Sequence, residues 1–309
     1  MAKQRLDTLL VNLNLCTSRQ QAQALIRTGK VAVNQQVVDK PGTEVDIAAN
    51  IHIKERSRYV SRGGEKLAKA LEVFAIPITD RICLDGGIST GGFTDCLLQA
   101  GAAKVYGIDV GYGQADWGLR NDPRVILKER TNLRYMTAAE LYGNSPPPAP
   151  PCQGEEQDSP QSPTLPIGVY ADLAVVDVSF ISLDKILPAL WELLAPPREA
   201  VLLVKPQFEV GRERVGKKGV VRDSATQADA IFQVWKAARA LGWEERGLTW
   251  SPLLGPAGNI EYLLWLGSDR QQQSEQNTVE ESVMKERIAE VTQAAKRELV
   301  KPASNLSPN

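Results

Sequence analysis

The chain has 309 residues and a formal net charge of −1 at neutral pH. This length allows one large domain and a small one, and no apolar run approaches the roughly 20 residues of a membrane-spanning helix. Residues 1–66 nevertheless hold eleven Lys or Arg against six Asp or Glu, a net charge of +5. This excess favours a polyanion contact near the amino terminus, although a solvated surface would show the same charges.

The first residues lead straight into an amphipathic pattern without the apolar core of a secretory signal, so a cytoplasmic location is the expectation. The four cysteines have no Cys-x-x-Cys spacing, and we expect neither a disulfide framework nor a metal site. His52 is the only histidine and lies between two isoleucines of a predicted strand. A structural role is therefore favoured for it over a catalytic one.

The first 54 residues predict a compact α+β unit. Leucines recur at helical spacing over residues 6–15, and Ser18 can cap a second helix that ends at Gly29. Two short strands then flank a turn near Asn34, and a further apolar alternation runs over residues 45–53.

A set of segments in this unit forms a known pattern: Arg5-Leu6-Asp7, Ser18-Arg19, Leu25-Ile26, Gly29, Val31, Val33-Asn34 and Lys40-Pro41-Gly42. Together they resemble the alpha-L RNA-binding motif of ribosomal proteins and pseudouridine synthases. The resemblance implies that the second helix and the hairpin face structured RNA. The candidate phosphate contacts that it implies are Arg5, Arg19, Arg27 and Lys30. Gln35 stands where that family has glycine, and since a positive φ is strained for glutamine, we expect another turn type there.

A polar and basic linker is predicted over residues 55–63, and its Arg58 and Arg62 are further candidate RNA contacts. Gly64 then opens a helix that begins the large domain, expected over residues 64–267. Lys66 lies in the first turn of this helix, where a cation is unfavourable by roughly a few tenths of a kcal/mol. Its position invites a functional explanation, with a surface lysine as the alternative.

The large domain is organised around residues 82–95. A short apolar run ends in a carboxylate, and a turn of glycines and small hydroxyls then leads into a helical pattern. In a doubly wound sheet, such a turn cradles a nucleotide, because glycine lets the backbone approach a ligand and the helix offers free N–H groups. The candidate cofactor-binding residues here are Asp85, Gly87, Ser89, Thr90, Gly91, Gly92 and Phe93.

Asp109 follows the next predicted strand and is placed to accept hydrogen bonds from ribose hydroxyls. The pyrophosphate fingerprint Gly-x-Gly-x-x-Gly is not matched, and Ser89 and Thr90 suit a nucleoside without a diphosphate. S-adenosylmethionine fits that description. A glycine-rich connection in any α/β protein is the alternative interpretation.

Composition sets two later regions apart. Residues 143–168 are rich in Pro, Ser, Gln and Glu, which predicts a disordered insertion. Residues 268–309 are a predicted polar tail with an amphipathic helix that docks on the domain or binds a partner. The apolar stripe of this helix consists of Met284, Ile288, Val291, Ala295 and Leu299.

A glycine-spaced basic loop is predicted over residues 210–222. It looks mobile and able to hold an RNA backbone through Arg212, Lys217 and Lys218, although solvated lysines are an equal alternative.

Four ionisable residues stand at comparable places. Asp177 and Lys205 end two predicted buried strands, so they should be neighbours at one edge of a parallel sheet. Lys66 lies on the entry helix and Glu261 precedes the last strand. Two lysines and two carboxylates can prepare one amine to accept a hydroxyl proton, which methyl transfer from a sulfonium requires. Salt bridges around a core are the competing interpretation.

Six segments of the large domain occur together: Ser61-Arg62-Gly63-Gly64-x-Lys66-Leu67, Asp85-x-Gly87-x-Ser89-Thr90-Gly91-Gly92-Phe93-Thr94-Asp95, Asp109-Val110-Gly111-Tyr112-Gly113-Gln114, Asp177-Val178-Ser179-Phe180-Ile181-Ser182, Lys205-Pro206-Gln207-Phe208-Glu209 and Gly258-Asn259-x-Glu261. With the amino-terminal unit they resemble the TlyA, or hemolysin A, family over nearly all of residues 3–267. The resemblance implies an α/β fold, in which an FtsJ-like methyltransferase domain with a Rossmann-like class I sheet follows the small RNA-binding domain.

The same resemblance implies 2′-O-methylation of cytidine ribose in ribosomal RNA, with S-adenosylmethionine as cofactor and ribosomal RNA or ribosomal subunits as partners. The catalytic set that it implies falls on Lys66, Asp177, Lys205 and Glu261. We expect Lys205 to be the base or the hydroxyl-orienting group and the other three to tune it.

Other acceptors fit the residues less well. The segment from Asp177 to Phe180 lacks the Pro-Pro-aromatic pattern of amino-group methyltransferases, and no cysteine stands at a strand end as a nucleophile for carbon methylation. Two other classes stay open: a non-catalytic RNA-binding ribosome assembly factor, and a membrane-active haemolysin, suggested only by the family's name.

Overall fold

The computed structural model describes residues 2–53, 58–143, 170–268 and 277–300. The predicted insertion lies outside the described residues from position 144 onward, and so does most of the tail apart from its helix. The chain divides into two compact units, Met1–Ser57 and Arg58–Asn309. The second unit begins before the Gly64 that the sequence suggested, because Tyr59 is buried in its core.

The first unit packs two helices against short antiparallel strands. Its elements are β1 (Lys3–Arg5), α1 (Leu6–Asn12), α2 (Arg19–Arg27), β2 (Val31–Val33), β3 (Gln36–Val37), β4 (Glu44–Asp46) and β5 (Ile51–Ile53). Strand β1 pairs with β4, and β2 pairs with both β3 and β5. As the sequence predicts, Ser18 caps α2 by accepting a hydrogen bond from the Gln21 N–H at 3.2 Å. Helix α1 is shorter than its leucine pattern, and Leu13 and Leu15 beyond it are exposed.

The turn between β2 and β3 corrects the sequence prediction. Asn34 has a φ of 48° and Gln35 a φ of 70°, so both central residues occupy the left-handed region that a type I′ turn requires. The expectation of another turn type was therefore wrong. Two hydrogen bonds hold Asn34 to Asn50, from the Asn34 N–H to the Asn50 carbonyl at 2.8 Å and from the Asn50 N–H to the Asn34 side chain at 3.0 Å. This tie offsets the strain at Gln35.

A buried carboxylate joins α1 to α2. Asp7 is fully buried and accepts hydrogen bonds from Arg5 at 3.1 Å, from Arg19 at 3.0 Å and from Gln23 at 2.9 Å. The hydrogen bond from Arg5, followed by those from Gln23 and Arg19, holds the pKa of Asp7 well below its usual range against the effect of burial.

The second unit contains a seven-stranded sheet with the order β11-β12-β10-β9-β6-β7-β8. The five strands β8, β7, β6, β9 and β10, which are neighbours in that order, pair in parallel. Strand β12 is antiparallel to both β10 and β11. The elements are α3 (Gly63–Phe74), β6 (Ile82–Gly86), α4 (Gly92–Gln99), β7 (Lys104–Ile108), α5 (Trp117–Arg120), β8 (Val125–Lys128), α6 (Ala138–Tyr142), β9 (Leu173–Val176), α7 (Leu187–Leu193), β10 (Glu199–Val204), α8 (Pro206–Glu209), α9 (Ser224–Ala240), β11 (Glu244–Trp250), β12 (Tyr262–Gly267) and α10 (Asn277–Leu299).

Two hydrophobic clusters cover the two faces of this sheet. Successive residues of β9 alternate between them, with Ala174 and Val176 in one cluster and Leu173 and Val175 in the other. Helices α3 and α4 contribute to one cluster, and α7, α9 and α10 contribute to the other. Within the described residues, no helix is long and apolar enough to cross a membrane.

The carboxyl-terminal helix docks on the second unit, one of the two roles that its apolar stripe suggested. Met284, Ile288 and Ala295 of α10 are buried in the same cluster as α9.

Asp7→Asn should destabilise the first unit. Removing the charge weakens hydrogen bonds to two guanidinium groups that are half exposed, so we expect a loss of about 1–2 kcal/mol at neutral pH. Hydrogen exchange of the α1 amides in the full chain measures this loss of stability. Because the folded-state pKa of Asp7 is depressed, its contribution is present above the unfolded value of about 4 and is lost as the pH falls further.

The control for this prediction is Asp39→Asn, which changes an exposed carboxylate without a hydrogen bond to another described residue. Equal protection of α1 in both variants would contradict the role given to Asp7.

Candidate active site

A cavity of about 1030 Å³ opens at the edge of the sheet where the parallel strands end. The register of the sheet explains what lines it. Val204 at the end of β10 pairs with Tyr262 at the start of β12, so the residues just beyond them, Lys205 and Glu261, lie at the same edge. Asp177 follows β9 at this edge. All four residues of the predicted catalytic set line the cavity: Lys66, Asp177, Lys205 and Glu261.

The four charges form two ion pairs within that cavity. Lys205 Nζ lies 2.6 Å from Asp177 Oδ1, and it also donates to Ser179 Oγ at 2.9 Å. Lys66 Nζ lies 2.6 Å from Glu261 Oε2, and the Glu261 side chain is only 1% exposed. The predicted proximity of Asp177 and Lys205 is therefore present. Ser179 had no role in the sequence analysis, although it stands within the segment that carries Asp177.

The glycine turn after β6 packs closely against the loop after β9, and the carboxylate of Asp109 holds it by hydrogen bonds to backbone N–H groups. Gly87 has a φ of 87°, and a Cβ atom there would lie 2.6 Å from the Asp177 carbonyl oxygen. Only glycine therefore fits where the turn passes the loop after β9. Ser89 also has a positive φ, 48°, and its N–H donates to Asp109 Oδ2 at 2.8 Å. The second oxygen of Asp109 accepts from the Gly111 N–H at 2.7 Å, so this carboxylate braces the turn.

Five of the eight candidate cofactor residues line the cavity: Gly87, Ser89, Thr90, Gly92 and Phe93. Asp109 lies behind Ser89, and Gly91, with a φ of 93°, is the N-cap of α4. Neither of them is part of the cavity lining.

Asp85 differs from its expected role. It is fully buried and absent from the cavity lining, and its Oδ2 accepts a hydrogen bond from Thr94 Oγ1 at 2.7 Å. Burial raises the pKa of Asp85 to about 7, although the bond from Thr94 opposes this. The geometry therefore makes Asp85 a positioning residue that ties β6 to α4, and direct cofactor contact is not supported. A strand pattern alone does not reveal toward which side such a carboxylate points.

Glu209 connects the two segments that carry Lys205 and Asp177. It ends α8, which directly follows Lys205, and it accepts hydrogen bonds from Ser182 Oγ at 2.5 Å and from the Leu183 N–H at 3.2 Å. Burial raises the pKa of Glu209 to about 7. The loop over residues 177–182 is thus held at its start by Lys205 and at its end by Glu209.

An exposed aromatic side chain projects from this loop. Phe180 is 90% exposed, has a φ of 65°, and its ring centroid lies 5.1 Å from that of Phe208. Both rings line the cavity. Phe180 stands four residues beyond the end of β9 at Val176, within the loop over residues 177–182.

The basic loop is fastened at its carboxyl-terminal end. Asn259, 1% exposed, accepts from the Val221 N–H at 2.9 Å and donates to the Gly219 carbonyl at 2.8 Å. Gln227 donates to the Val221 carbonyl at 2.7 Å. The sequence predicted a mobile loop, but hydrogen bonds anchor it at this end. The sequence had suggested no role for the side-chain amides of Asn259 and Gln227.

The candidate RNA contacts occupy accessible positions in both units. Arg5 and Arg19 are about half exposed although both bind Asp7, and Arg27 is exposed. Lys30 is partly buried. In the second unit, Arg58 is exposed and its guanidinium lies 5.2 Å from the centre of the Tyr59 ring.

The remaining RNA candidates lie at or near the cavity. Arg62 and Arg212 line it, and Lys217 and Lys218 are exposed on the basic loop.

Comparison with known proteins agrees with this architecture. The family model of FtsJ-like methyltransferases matches residues 59–268, and the S4 domain model matches residues 4–51. The chain is 46% identical over 264 residues to the 16S/23S rRNA (cytidine-2'-O)-methyltransferase TlyA of Mycobacterium tuberculosis, which covers 85% of this chain and 89% of that protein. It is 38% identical to Hemolysin A of Brachyspira hyodysenteriae, over 84% of this chain and 98% of that protein.

Among solved structures, a candidate hemolysin from Streptococcus thermophilus matches with a TM-score of 0.65 and 38% identity, over 96% of this chain and 97% of that chain. The protein thus belongs to the FtsJ-like methyltransferases that carry an S4 domain, and within them to the TlyA family.

Glu209→Ala should lower the rate of methyl transfer by about tenfold to a hundredfold, because it releases the loop that orients Asp177 and Ser179. Glu209→Gln should restore most of the rate, since its amide can accept from the Leu183 N–H and donate to Ser182. Initial rates measure the effect, and calorimetry should show that cofactor affinity hardly changes.

The control is Glu140→Ala. Glu140 also accepts from a hydroxyl and a backbone N–H, both of Thr137, but it does so at the start of α6, outside the cavity lining. If both alanine variants lose stability equally and neither loses rate, Glu209 does not position the site.

Proposed function

We propose that this protein transfers a methyl group from S-adenosylmethionine to the ribose 2′-hydroxyl of cytidine in ribosomal RNA. The observation that carries the proposal is a lysine held by a carboxylate and a hydroxyl in the same cavity as a glycine turn. Membership of the TlyA family supports the nature of the acceptor, because the M. tuberculosis relative is named for this reaction.

The residues of the cavity fit a nucleoside cofactor. Gly87, Ser89 and Thr90 present backbone with small side chains, and Ile88 and Phe93 add apolar surface. The cavity volume lies at the upper end of the roughly 300–1,000 Å³ that is usual for small-molecule sites, which leaves room for an acceptor. When bound, S-adenosylmethionine supplies an electrophilic methyl group on a sulfonium.

Lys205 is the proposed proton acceptor. As a neutral amine it has two N–H groups and one lone pair, and the two N–H groups match its bonds to Asp177 and Ser179. The lone pair is then left for the proton of an incoming hydroxyl. Asp177 afterwards stabilises the ammonium that forms, so it orients the base and compensates its charge.

The second ion pair has a different proposed role. Lys66 and Glu261 are nearly buried, and each compensates the charge of the other, so the pair can hold its geometry without solvent. We assign Lys66 to hydrogen bonding with the acceptor ribose and Glu261 to fixing the direction of Lys66. The S4 unit and the cations around the cavity would hold the RNA backbone.

Lys205→Arg should reduce methyl transfer by about a hundredfold or more, because a guanidinium keeps the charge but does not accept a proton. Methyl incorporation into ribosomal RNA measures the rate, and calorimetry with S-adenosylmethionine checks that the folded site is kept. Lys185→Arg is the control, because Lys185 forms a lysine–aspartate pair with Asp184 on the surface.

A Lys205→Arg variant that methylates at the wild-type rate would show that Lys205 is not the base. A Lys205 variant without transfer that still supports ribosome assembly in cells would favour the non-catalytic assembly factor instead.

Gly87→Ala should weaken S-adenosylmethionine binding by roughly tenfold or more, because its Cβ displaces either the turn or the Asp177 carbonyl. Gly113→Ala is the control for backbone strain alone. Gly113 also has a positive φ, 72°, but a Cβ there meets nothing within 4 Å, so only the left-handed penalty of roughly 1–2 kcal/mol applies. Equal affinities of the two variants would show that the contact at Gly87 does not shape the cofactor site.

A further inference from the structure

A second cavity, of about 490 Å³, lies against the basic loop. It is lined by four cationic side chains, Arg214, Lys217, Lys218 and Arg222, and by one carboxylate, Asp223. Other residues of the same loop, among them Arg212 and Val215, line the catalytic cavity, and Gly216 belongs to both linings. A single loop therefore forms a wall of each cavity.

The acidic groups near this second cavity are already engaged. Asp223 caps α9 and accepts from Thr226 N and Oγ1, both at 2.8 Å. These hydrogen bonds lower the pKa of Asp223, and Lys296 of α10 adds to the effect. Asp229 pairs with Arg214 at 2.5 Å. Asp223 therefore stays ionised at neutral pH, and each of the two carboxylates has a local partner.

Three of the cations have no such partner. Lys217, Lys218 and Arg222 form no ion pair with any residue in the part of the chain that the structure describes, and all three are exposed. Such charges attract polyanions, and one charge-assisted contact to a phosphate is worth more when neighbouring cations share the site.

The loop holds these cations in a defined arrangement. Val221 is fixed through both of its backbone polar groups, its N–H to Asn259 and its carbonyl to Gln227. Lys218 and Gly219 both have positive φ values, 68° and 75°, a conformation that an unrestrained lysine rarely adopts. The entropy lost when a ligand binds is smaller for such an ordered loop than for free surface lysines.

We propose that the second cavity is a phosphodiester subsite for the RNA nucleotides next to the methylated one. The inference rests on the proposed function, and it adds the path that the RNA strand takes along the protein surface. A ribose in the catalytic cavity carries a phosphate on each side, and the chain of phosphates leaving it passes the loop that lines both cavities. Lys217, Lys218 and Arg222 then contact successive phosphates, while Arg212 remains with the target nucleotide.

The double variant Lys217→Ala/Arg222→Ala tests this subsite. Loss of two contacts to single-stranded RNA should reduce the slope of log affinity against log salt by about 1.4, and the affinity for ribosomal RNA by roughly tenfold at low salt. Titrations at several salt concentrations measure both, and affinity for S-adenosylmethionine should stay unchanged. The matched control is Lys104→Ala/Lys236→Ala, which removes two cations that line neither cavity. A salt slope equal to that of wild type and control would overturn the proposal.

A crosslinking experiment locates the strand. Cys16, Cys83 and Cys96 are buried, so in a Cys152→Ser background Lys217→Cys can carry a photoreactive aryl azide. Crosslinks should fall within a few nucleotides of the methylated position, and crosslinks only at distant nucleotides would overturn the subsite. If wild-type protein binds RNA with the expected salt slope but transfers no methyl group, the proposed function fails while the phosphate contacts stand.

Discussion

The pairing of Lys205 with Asp177 is the contact on which the proposed chemistry of this protein depends. It exists because β9 and β10 run parallel and end at the same edge, so that a residue just beyond each strand can meet the other. A lysine near a sheet edge that had no carboxylate would be a solvated cation. Here its amine is nearly buried, and two acceptors, Asp177 and Ser179, fix its orientation.

The surrounding contacts keep this pair beside the glycine turn. Asp109 braces the turn, Asp85 ties its strand to the following helix, and Glu209 closes the loop that begins at Asp177. Each of these carboxylates binds backbone or hydroxyl groups in the structure. The acidic residues of these sequence motifs thus fall into two groups. Some line the cavity, and others hold the backbone segments that form it.

Much of this site could be predicted from the sequence, because apolar runs reveal the strands and the topology of parallel sheets brings their ends together. That reasoning correctly joined Lys205 to Asp177. It assigned no role to Glu209 or Asn259, since their partners are a hydroxyl and backbone groups whose positions depend on loop conformation. It also misjudged the turn at Gln35, where a tertiary tie to Asn50 outweighs the local preference for glycine, and the linker, where Tyr59 packs in the core.

Because β12 is the last strand of the sheet to be synthesised, the Lys66–Glu261 pair can form only late in translation. This strand inserts between β10 and β11, and Glu261, which directly precedes it, meets Lys66 across a sequence separation of 195 residues. On a growing polypeptide, the earlier lysine is therefore made long before its counterion. A ribosome-bound nascent chain would hold the glycine turn and the Lys205 pair, yet it would lack the second pair until nearly all of the sheet had emerged. Under the roles proposed for Lys66 and Glu261, methyl transfer then requires a molecule whose second unit has finished folding.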